Sequence, residues 1–90
     1  MFVDIDTAGA REQLGLLRAE LASRGWPADQ RGTAQRPFLS VRNPSDPGFN
    51  DSVAVMDGWY CWTWGPEIGP VDNVAMTADR IMHVLRVAGR

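Results

Sequence analysis

The apolar residues on either side of Asp57-Gly58 predict a β-hairpin. Asp-Gly between two apolar runs favours a type I′ turn of two residues, because both central residues of that turn need a positive φ. A loop of this length fixes which residues face each other across the two strands. The expected pairs are Met56–Trp59, Val55–Tyr60, Ala54–Cys61 and Val53–Trp62.

Both faces of this hairpin are apolar, which is the most informative property of the sequence. Successive side chains of a strand point to opposite faces. The larger apolar set consists of Val53, Val55, Tyr60, Trp62 and Trp64, joined by Leu39 and Val41 from a preceding strand. We expect helices to cover this set. The smaller set, called the open face below, consists of Phe38, Ala54, Met56, Trp59 and Cys61.

The open face has two interpretations. Large contiguous apolar patches usually mark an interaction site, and Phe38 and Trp59 would anchor such a contact. Alternatively, residues 1–5 or the Asn43–Asn50 segment fold over this face, and nothing binds there.

Two amphipathic helices are predicted from apolar stripes with helical spacing. The first spans residues 8–24, with the stripe Ala10, Leu14, Leu17 and Leu21. The second spans residues 73–88, with the stripe Val74, Ala78, Ile81, Met82 and Leu85. Asp6 or Thr7 is expected to cap the first helix, and Asp72 the second, by accepting from unpaired backbone amides.

Strands and turns occupy the segment between the helices. Short strands are expected over residues 27–31 and 37–42, before the hairpin. Residues 43–50 and 65–70 are rich in proline and glycine and are expected to be loops. Residues 1–6 are expected to be a frayed lead-in or an edge strand. The sum is one two-layer α+β domain spanning residues 1–90, in the order helix, three- or four-stranded antiparallel meander, helix.

Composition narrows the classes of function. The net charge of −2 provides no cationic field for nucleic acid or for an anionic membrane. No apolar stretch approaches the ~20 residues of a membrane span, and the opening MFVDID lacks the features of a signal peptide. We therefore expect a cytoplasmic protein that binds neither nucleic acid nor membrane.

Cys61 and His83 are the only cysteine and the only histidine, so no intrachain disulfide, metal or cofactor is expected. A nucleophilic Cys61 would need a nearby base or cation, but His83 falls on the helix side opposite the apolar stripe. A packed thiol and a solvated imidazole are the simpler interpretation. Glu67 and Asp72 could perform acid–base chemistry only if burial separated their pKa values. The sequence therefore predicts a protein that is not an enzyme.

Several segments resemble those of a family of short actinomycete proteins. They are Leu17–Leu21, Val41–Pro44, Trp62–Gly65, Ile68–Asp72, Ala78–Ile81 and Val84–Leu85, of which the W-x-W-G to I-G-P-x-D part is the most specific. The resemblance implies no assigned activity and no catalytic residues. In element order alone, the chain is similar to type III secretion chaperones, which implies peptide binding on a sheet face.

Two functional hypotheses follow. The first is a non-enzymatic protein-interaction module, a homodimer joined through the open face or through the outer faces of the helices, where Met76 and Val87 could extend the contact. The second is a small-molecule binder with a pocket for an apolar or aromatic ligand between the sheet and the helices. The expected lining of that pocket is Tyr60, Trp62, Trp64 and Leu85.

Overall fold

The computed structural model describes residues 2–87. These residues form, in order, α1 (Phe2–Ser23), β1 (Ala28–Gly32), β2 (Pro37–Asn43), β3 (Asp46–Met56), β4 (Trp59–Trp62), β5 (Glu67–Pro70) and α2 (Val74–Val87). The strands form one antiparallel sheet, and both helices pack on the same face of it. The predicted α+β class is therefore confirmed.

The sheet is a meander, in which each strand pairs with the next one along the chain. It has five strands within residues 2–87, one more than the largest number predicted. The additional strand is β5, in the segment for which a loop was predicted.

The β3–β4 hairpin has the predicted turn and the predicted register. Asp57 and Gly58 have φ values of 52° and 82°, both positive, as a type I′ turn requires. The four observed pairs are the four expected from the sequence. The predicted division of side chains between the two faces of the hairpin therefore holds as well.

The connection between β2 and β3 is shorter than predicted. The loop expected over Asn43–Asn50 is reduced to a two-residue turn, and β3 already begins at Asp46. Residues 47–49 have no counterpart on β2, so the pairing shifts there. Such an irregularity accommodates a proline, which cannot donate to the ladder. The Asn43–Asn50 segment is therefore part of the sheet and does not fold over the open face.

The strand β5 was missed because its Gly-Pro composition is typical of loops. It lies at the edge of the sheet, where Pro70 does not need to donate to a further strand. Gly69 lets α2 approach closely, since a Cβ atom at this position would overlap the Thr77 side chain.

Helix α1 begins at Phe2 rather than at Ala8. The lead-in or edge strand predicted for residues 1–6 is therefore wrong over the part that the structure describes, and Met1 lies outside it. Asp6 and Thr7 lie within the helix, so neither caps it. Six residues are too few to distinguish a helical period from an alternating one.

Helix α2 is capped by Asn73 and not by Asp72. The Asn73 side-chain oxygen accepts from the Met76 amide at 3.2 Å, and its carbonyl accepts from the Thr77 amide at 3.2 Å. Asparagine and aspartate are equally good caps, so the sequence did not distinguish these two neighbours. The predicted helix end at Ala88 lies outside the described residues.

One apolar core lies between the helices and the sheet. The helices contribute Leu14, Leu17, Leu21, Ala78, Ile81 and Leu85. The sheet contributes Ala28, Leu39, Val41, Val53, Tyr60, Trp62 and Ile68. The helices therefore cover the larger apolar set, as predicted, with one exception.

The exception is Trp64, which is 65% exposed. The chain turns directly after Trp62, and the Gly65 amide donates to the Trp62 carbonyl at 2.9 Å. The Trp64 ring then stacks on Trp62 with centroids 6.4 Å apart, and its indole N–H donates to Asp51 at 2.9 Å. The alternation of a strand no longer applies once the chain has turned.

Tyr60 connects the centre of the sheet to α1. Its side chain is fully buried, and its hydroxyl donates to the Gln13 carbonyl at 2.6 Å. Burial raises the pKa of Tyr60 to about 12, from 10.0, because the phenolate loses its hydration. A raised pKa of an acidic group stabilises the fold below the unfolded pKa, and this contribution is lost as the pH rises through the folded pKa.

We expect Tyr60→Phe to cost about 1 kcal/mol of unfolding free energy at neutral pH, because the hydrogen bond to Gln13 is lost. The wild-type protein should lose stability between about pH 10 and 12 as the phenol ionises on unfolding. Tyr60 is the only tyrosine and the chain has no lysine, but the buried Cys61 thiol, whose pKa is also raised, contributes to the slope of both proteins. The variant should therefore show a flatter, though not a flat, stability profile in this range. Urea unfolding at a series of alkaline pH values measures both effects. An equally steep profile in the variant would contradict the assignment to Tyr60.

Candidate interaction surface

Five side chains form a row across the open face, one from each strand. The strand register places Arg31 opposite Phe38, and Cys61 between Ala54 and Glu67. Phe38 lies beside Ala54, because the residues adjacent to them on β2 and β3 are paired. The row therefore has the guanidinium of Arg31 at the β1 edge, three residues without charge in the middle and a negative charge at the β5 edge. Arg31 lies 4.0 Å from the Asp29 carboxylate on the same strand, in an exposed ion pair that contributes little stability.

A second row on the open face consists of Met56 and Trp59, which are paired next to the hairpin turn. Their side chains are 67% and 38% exposed, whereas Phe38 and Ala54 are half-buried. Neither of the two segments proposed to cover this face does so in the described part of the chain. Residues 2–5 belong to α1 on the other face of the sheet, and Asn43–Asn50 forms the start of β3 and the turn before it.

Cys61 is the open-face residue that is not accessible, with 6% of its surface exposed. Burial raises the pKa of its thiol, and the Glu67 carboxylate raises it further, because both disfavour the thiolate. The thiol donates to the Ala54 carbonyl at 3.7 Å. This environment is the opposite of one that activates a nucleophile, so Cys61 is a packing residue here.

The structure does not bring the four residues of the predicted ligand pocket together around a cavity. Tyr60 and Leu85 are buried within the core, with 0% and 3% of their surfaces exposed. Trp64 lies outside the core in the turn after β4. Of the four, Trp62 lines a groove, which runs between the β4–β5 edge and α2. The pocket prediction failed because two of its residues fill the interior instead of bordering it.

The groove beside Trp62 has a volume of about 320 Å³, at the lower end of the range for ligand sites. Its lining consists of Trp62, Glu67, Ile68, Asp79, Arg80, His83 and Val84. Arg80 donates to the Ile68 carbonyl at 2.6 Å, which ties α2 to β5. Asp79 pairs with Arg24, which follows directly after α1. These two contacts therefore hold α2 against β5 and against the end of α1.

His83 lies in this groove, although the helical wheel predicted that it points away from the sheet. A helical wheel of α2 identifies one buried stripe of side chains, and in the structure this stripe faces the centre of the sheet. The unpredicted strand β5 extends the sheet beyond that stripe and gives the next side of α2 a neighbour. His83 is exposed, and no residue with nucleophilic character lines the groove beside it.

A second groove of about 430 Å³ lies at the other end of the sheet, between the β2–β3 turn and Arg86. The buried side chain of Asn43 donates to the Leu85 carbonyl at 3.1 Å and accepts from the Ser45 amide at 2.8 Å. The guanidinium of Arg86 lies 5.7 Å from the Trp26 ring centroid, a cation–π distance. Asn43 therefore attaches the end of α2 to the β2–β3 hairpin, and Arg86 attaches it to the connection between α1 and β1.

Within residues 2–87, no three His, Cys, Asp or Glu side chains are grouped so that they could hold a metal ion. Neither α1 nor α2, as described, is long and apolar enough to cross a membrane. The resemblance to short actinomycete proteins stays a prediction, and the fold stands on the geometry above. No protein-family model, curated protein or solved structure matches the chain.

Proposed function

We propose that the protein is a non-enzymatic interaction module that forms a homodimer through its open face. The observation that carries the proposal is the exposure of Met56 and Trp59, directly paired on the sheet face opposite both helices. A sheet normally needs cover on its apolar face. A second copy of the chain supplies that cover without any additional component.

The other exposed apolar side chains support this choice by their positions. Leu16 lies on the outer side of α1, Val84 on α2 and Trp64 in the turn after β4. Scattered exposed apolar residues are ordinary on protein surfaces, whereas adjacent ones indicate association. Met56 and Trp59 are adjacent to each other and continuous with the half-buried Phe38 and Ala54 through the open face.

Burial of apolar surface on both copies favours association. Full burial of one large apolar side chain contributes about 1.5–3 kcal/mol. A two-fold interface buries the exposed part of each residue twice, once on each copy, so Met56 and Trp59 provide four side chains that each contribute the fraction of this value still exposed in the monomer, 67% for Met56 and 38% for Trp59. Their contribution offsets an association cost of about 4–15 kcal/mol in part, and the rest of the open face supplies the remainder. We propose the cytoplasm as its location, because the single cysteine is free and buried.

We expect Trp59→Asp to weaken dimerisation at least tenfold, because it places an unpaired carboxylate in an apolar contact. Trp64→Asp is the matched control: the same change at a more exposed tryptophan outside the open face, which should leave the dissociation constant within about threefold. Sedimentation velocity over a micromolar to millimolar series measures the mass of each protein.

A wild-type protein that remains at the monomer mass of 9.9 kDa throughout the series would overturn the homodimer. An undiminished dimer in Trp59→Asp would show that the contact lies elsewhere, for example on the outer faces of the helices. A monomer whose tryptophan fluorescence responds to apolar peptides in the wild type but not in Trp59→Asp would instead support the chaperone-like peptide binder. Quenching by an aromatic metabolite, retained in Trp59→Asp but lost in Trp62→Ala, would support small-molecule binding.

A further inference from the structure

We infer that the two copies meet about a two-fold axis parallel to β3, which places Arg31 of each copy against Glu67 of the other. This inference rests on the proposed homodimer and specifies its geometry. It starts from the row Arg31, Phe38, Ala54, Cys61 and Glu67, whose order follows from the strand register.

Two simple face-to-face arrangements are compatible with two-fold symmetry. An axis parallel to the strands reverses the strand order, so that β1 of one copy lies over β5 of the other. An axis perpendicular to the strands, in the plane between the sheets, keeps the order, so that β1 lies over β1. Packed sheets are ~10 Å apart with their strands about 30° from alignment in the common class, so residues near the axis remain opposite each other.

Charge distinguishes the two arrangements. The parallel axis produces two Arg31–Glu67 contacts, one at each edge of the interface. The perpendicular axis places Arg31 against Arg31 and Glu67 against Glu67, which is repulsive at both edges. Arginine and glutamate are long enough together to bridge a gap of ~10 Å between sheets. Complementary charges at the rim mainly fix the orientation of two partners.

The apolar residues favour the same axis. An axis along β3 passes next to Ala54 and Met56, so that each meets its own copy. The exposed Met56–Trp59 rows of both copies then lie at the same end of the interface, where Met56 meets Met56 and Trp59 of each copy lies over the start of β2 of the other. Phe38 of each copy lies opposite the small Cys61 of the other, a large residue against a small one. The perpendicular axis instead places the Met56–Trp59 row at opposite ends of the interface.

The test is a charge exchange measured by sedimentation velocity at low salt. Arg31→Glu and Glu67→Arg, each alone, should weaken the dimer about tenfold, because two attractive contacts become repulsive. The double variant Arg31→Glu/Glu67→Arg should return the dissociation constant to within about threefold of wild type, since the attraction is restored with the charges exchanged. Arg11→Glu on the exposed side of α1 is the control for the change in net charge, and should have little effect. Far-UV circular dichroism confirms that each variant is folded.

The outcomes separate this inference from the proposed function. Single variants that dimerise as tightly as wild type, or a double variant that is not restored, would overturn the parallel axis, while loss of dimer in Trp59→Asp would still support the open face. A monomeric wild type would overturn both. Loss of the single-variant effect at high salt is expected, because rim charges are screened.

Discussion

Leu17→Ala is expected to lower the free energy of unfolding by about 3–4 kcal/mol, a large part of the stability of a small domain. Leu17 lies in the apolar stripe of α1 and is fully buried. The substitution removes apolar surface from the core and leaves a cavity that the surrounding side chains fill only in part. The expected decrease in the melting temperature exceeds 10 °C, at about 4–8 °C for each kcal/mol in a domain of this size. Urea unfolding followed by tryptophan fluorescence measures the loss.

Leu16→Ala is the matched control, because it makes the same chemical change one position earlier in the same helix. Leu16 is 54% exposed, so its truncation should change the free energy of unfolding by less than about 0.5 kcal/mol. Similar losses in the two variants would mean that α1 is rotated about its axis relative to the structure. A large loss at Leu16 alone would place the other side of α1 against the sheet.

Gly69→Ala is expected to cost about 2–3 kcal/mol, because overpacking at a close contact forces a backbone or side-chain shift. The new Cβ atom would overlap the Thr77 hydroxyl oxygen, and would lie 3.4 Å from the Thr77 Cβ atom and 3.5 Å from its Cα atom. Thr77 is fully buried, and its hydroxyl already donates to the Asn73 carbonyl at 3.1 Å. The side chain therefore has little room to turn away.

Thr77→Ala should rescue Gly69→Ala, since it removes the atom that the new methyl group meets. A double-mutant cycle, measured by urea unfolding, should show a favourable coupling energy of about 1–2 kcal/mol. Gly48→Ala is the control, because the nearest atom to its new Cβ would be at the ordinary contact distance of 3.5 Å. Additive effects of the two substitutions would show that α2 does not pack on β5 at Gly69.

The sequence predicted those parts of the fold that depend on interactions between residues close together along the chain. The Asp57-Gly58 turn sets its own conformation and the register of both strands around it, so the hairpin was predicted residue by residue. The stripe containing Leu14, Leu17 and Leu21 repeats with a helical period over several turns. A strong and repeated local pattern of this kind is compatible with few other secondary structures.

The parts that the sequence did not predict depend on contacts with distant residues. Glu67–Pro70 becomes a strand because β4 presents a free edge to it and because Gly69 admits Thr77. Trp64 leaves the core because the chain turns one residue earlier than its aromatic pattern indicates. His83 gains a neighbour only once β5 is present. Composition alone could not indicate these three outcomes, because each depends on the position of a neighbouring helix, strand or turn in the fold.

The open face itself was predicted from alternation, and its members lie where the register requires. Cys61 is buried, as the interpretation of a packed thiol predicted, since a small side chain between neighbours is shielded without any covering element. The Arg31 and Glu67 ends of its central row were not recognised, because the strand pairings that align them involve β1 and β5. A full five-strand register was needed to see the row.

The order of the strands also leaves β1 and β5 as the two borders of the sheet. Unpaired borders can recruit strands from further molecules and grow into fibres unless charge, shortness or proline blocks them. Asp29 and Arg31 on β1 are exposed and charged, and β5 is only four residues long and ends at Pro70. Lateral polymerisation is therefore disfavoured at both borders, which is compatible with the finite assembly of two chains that we propose.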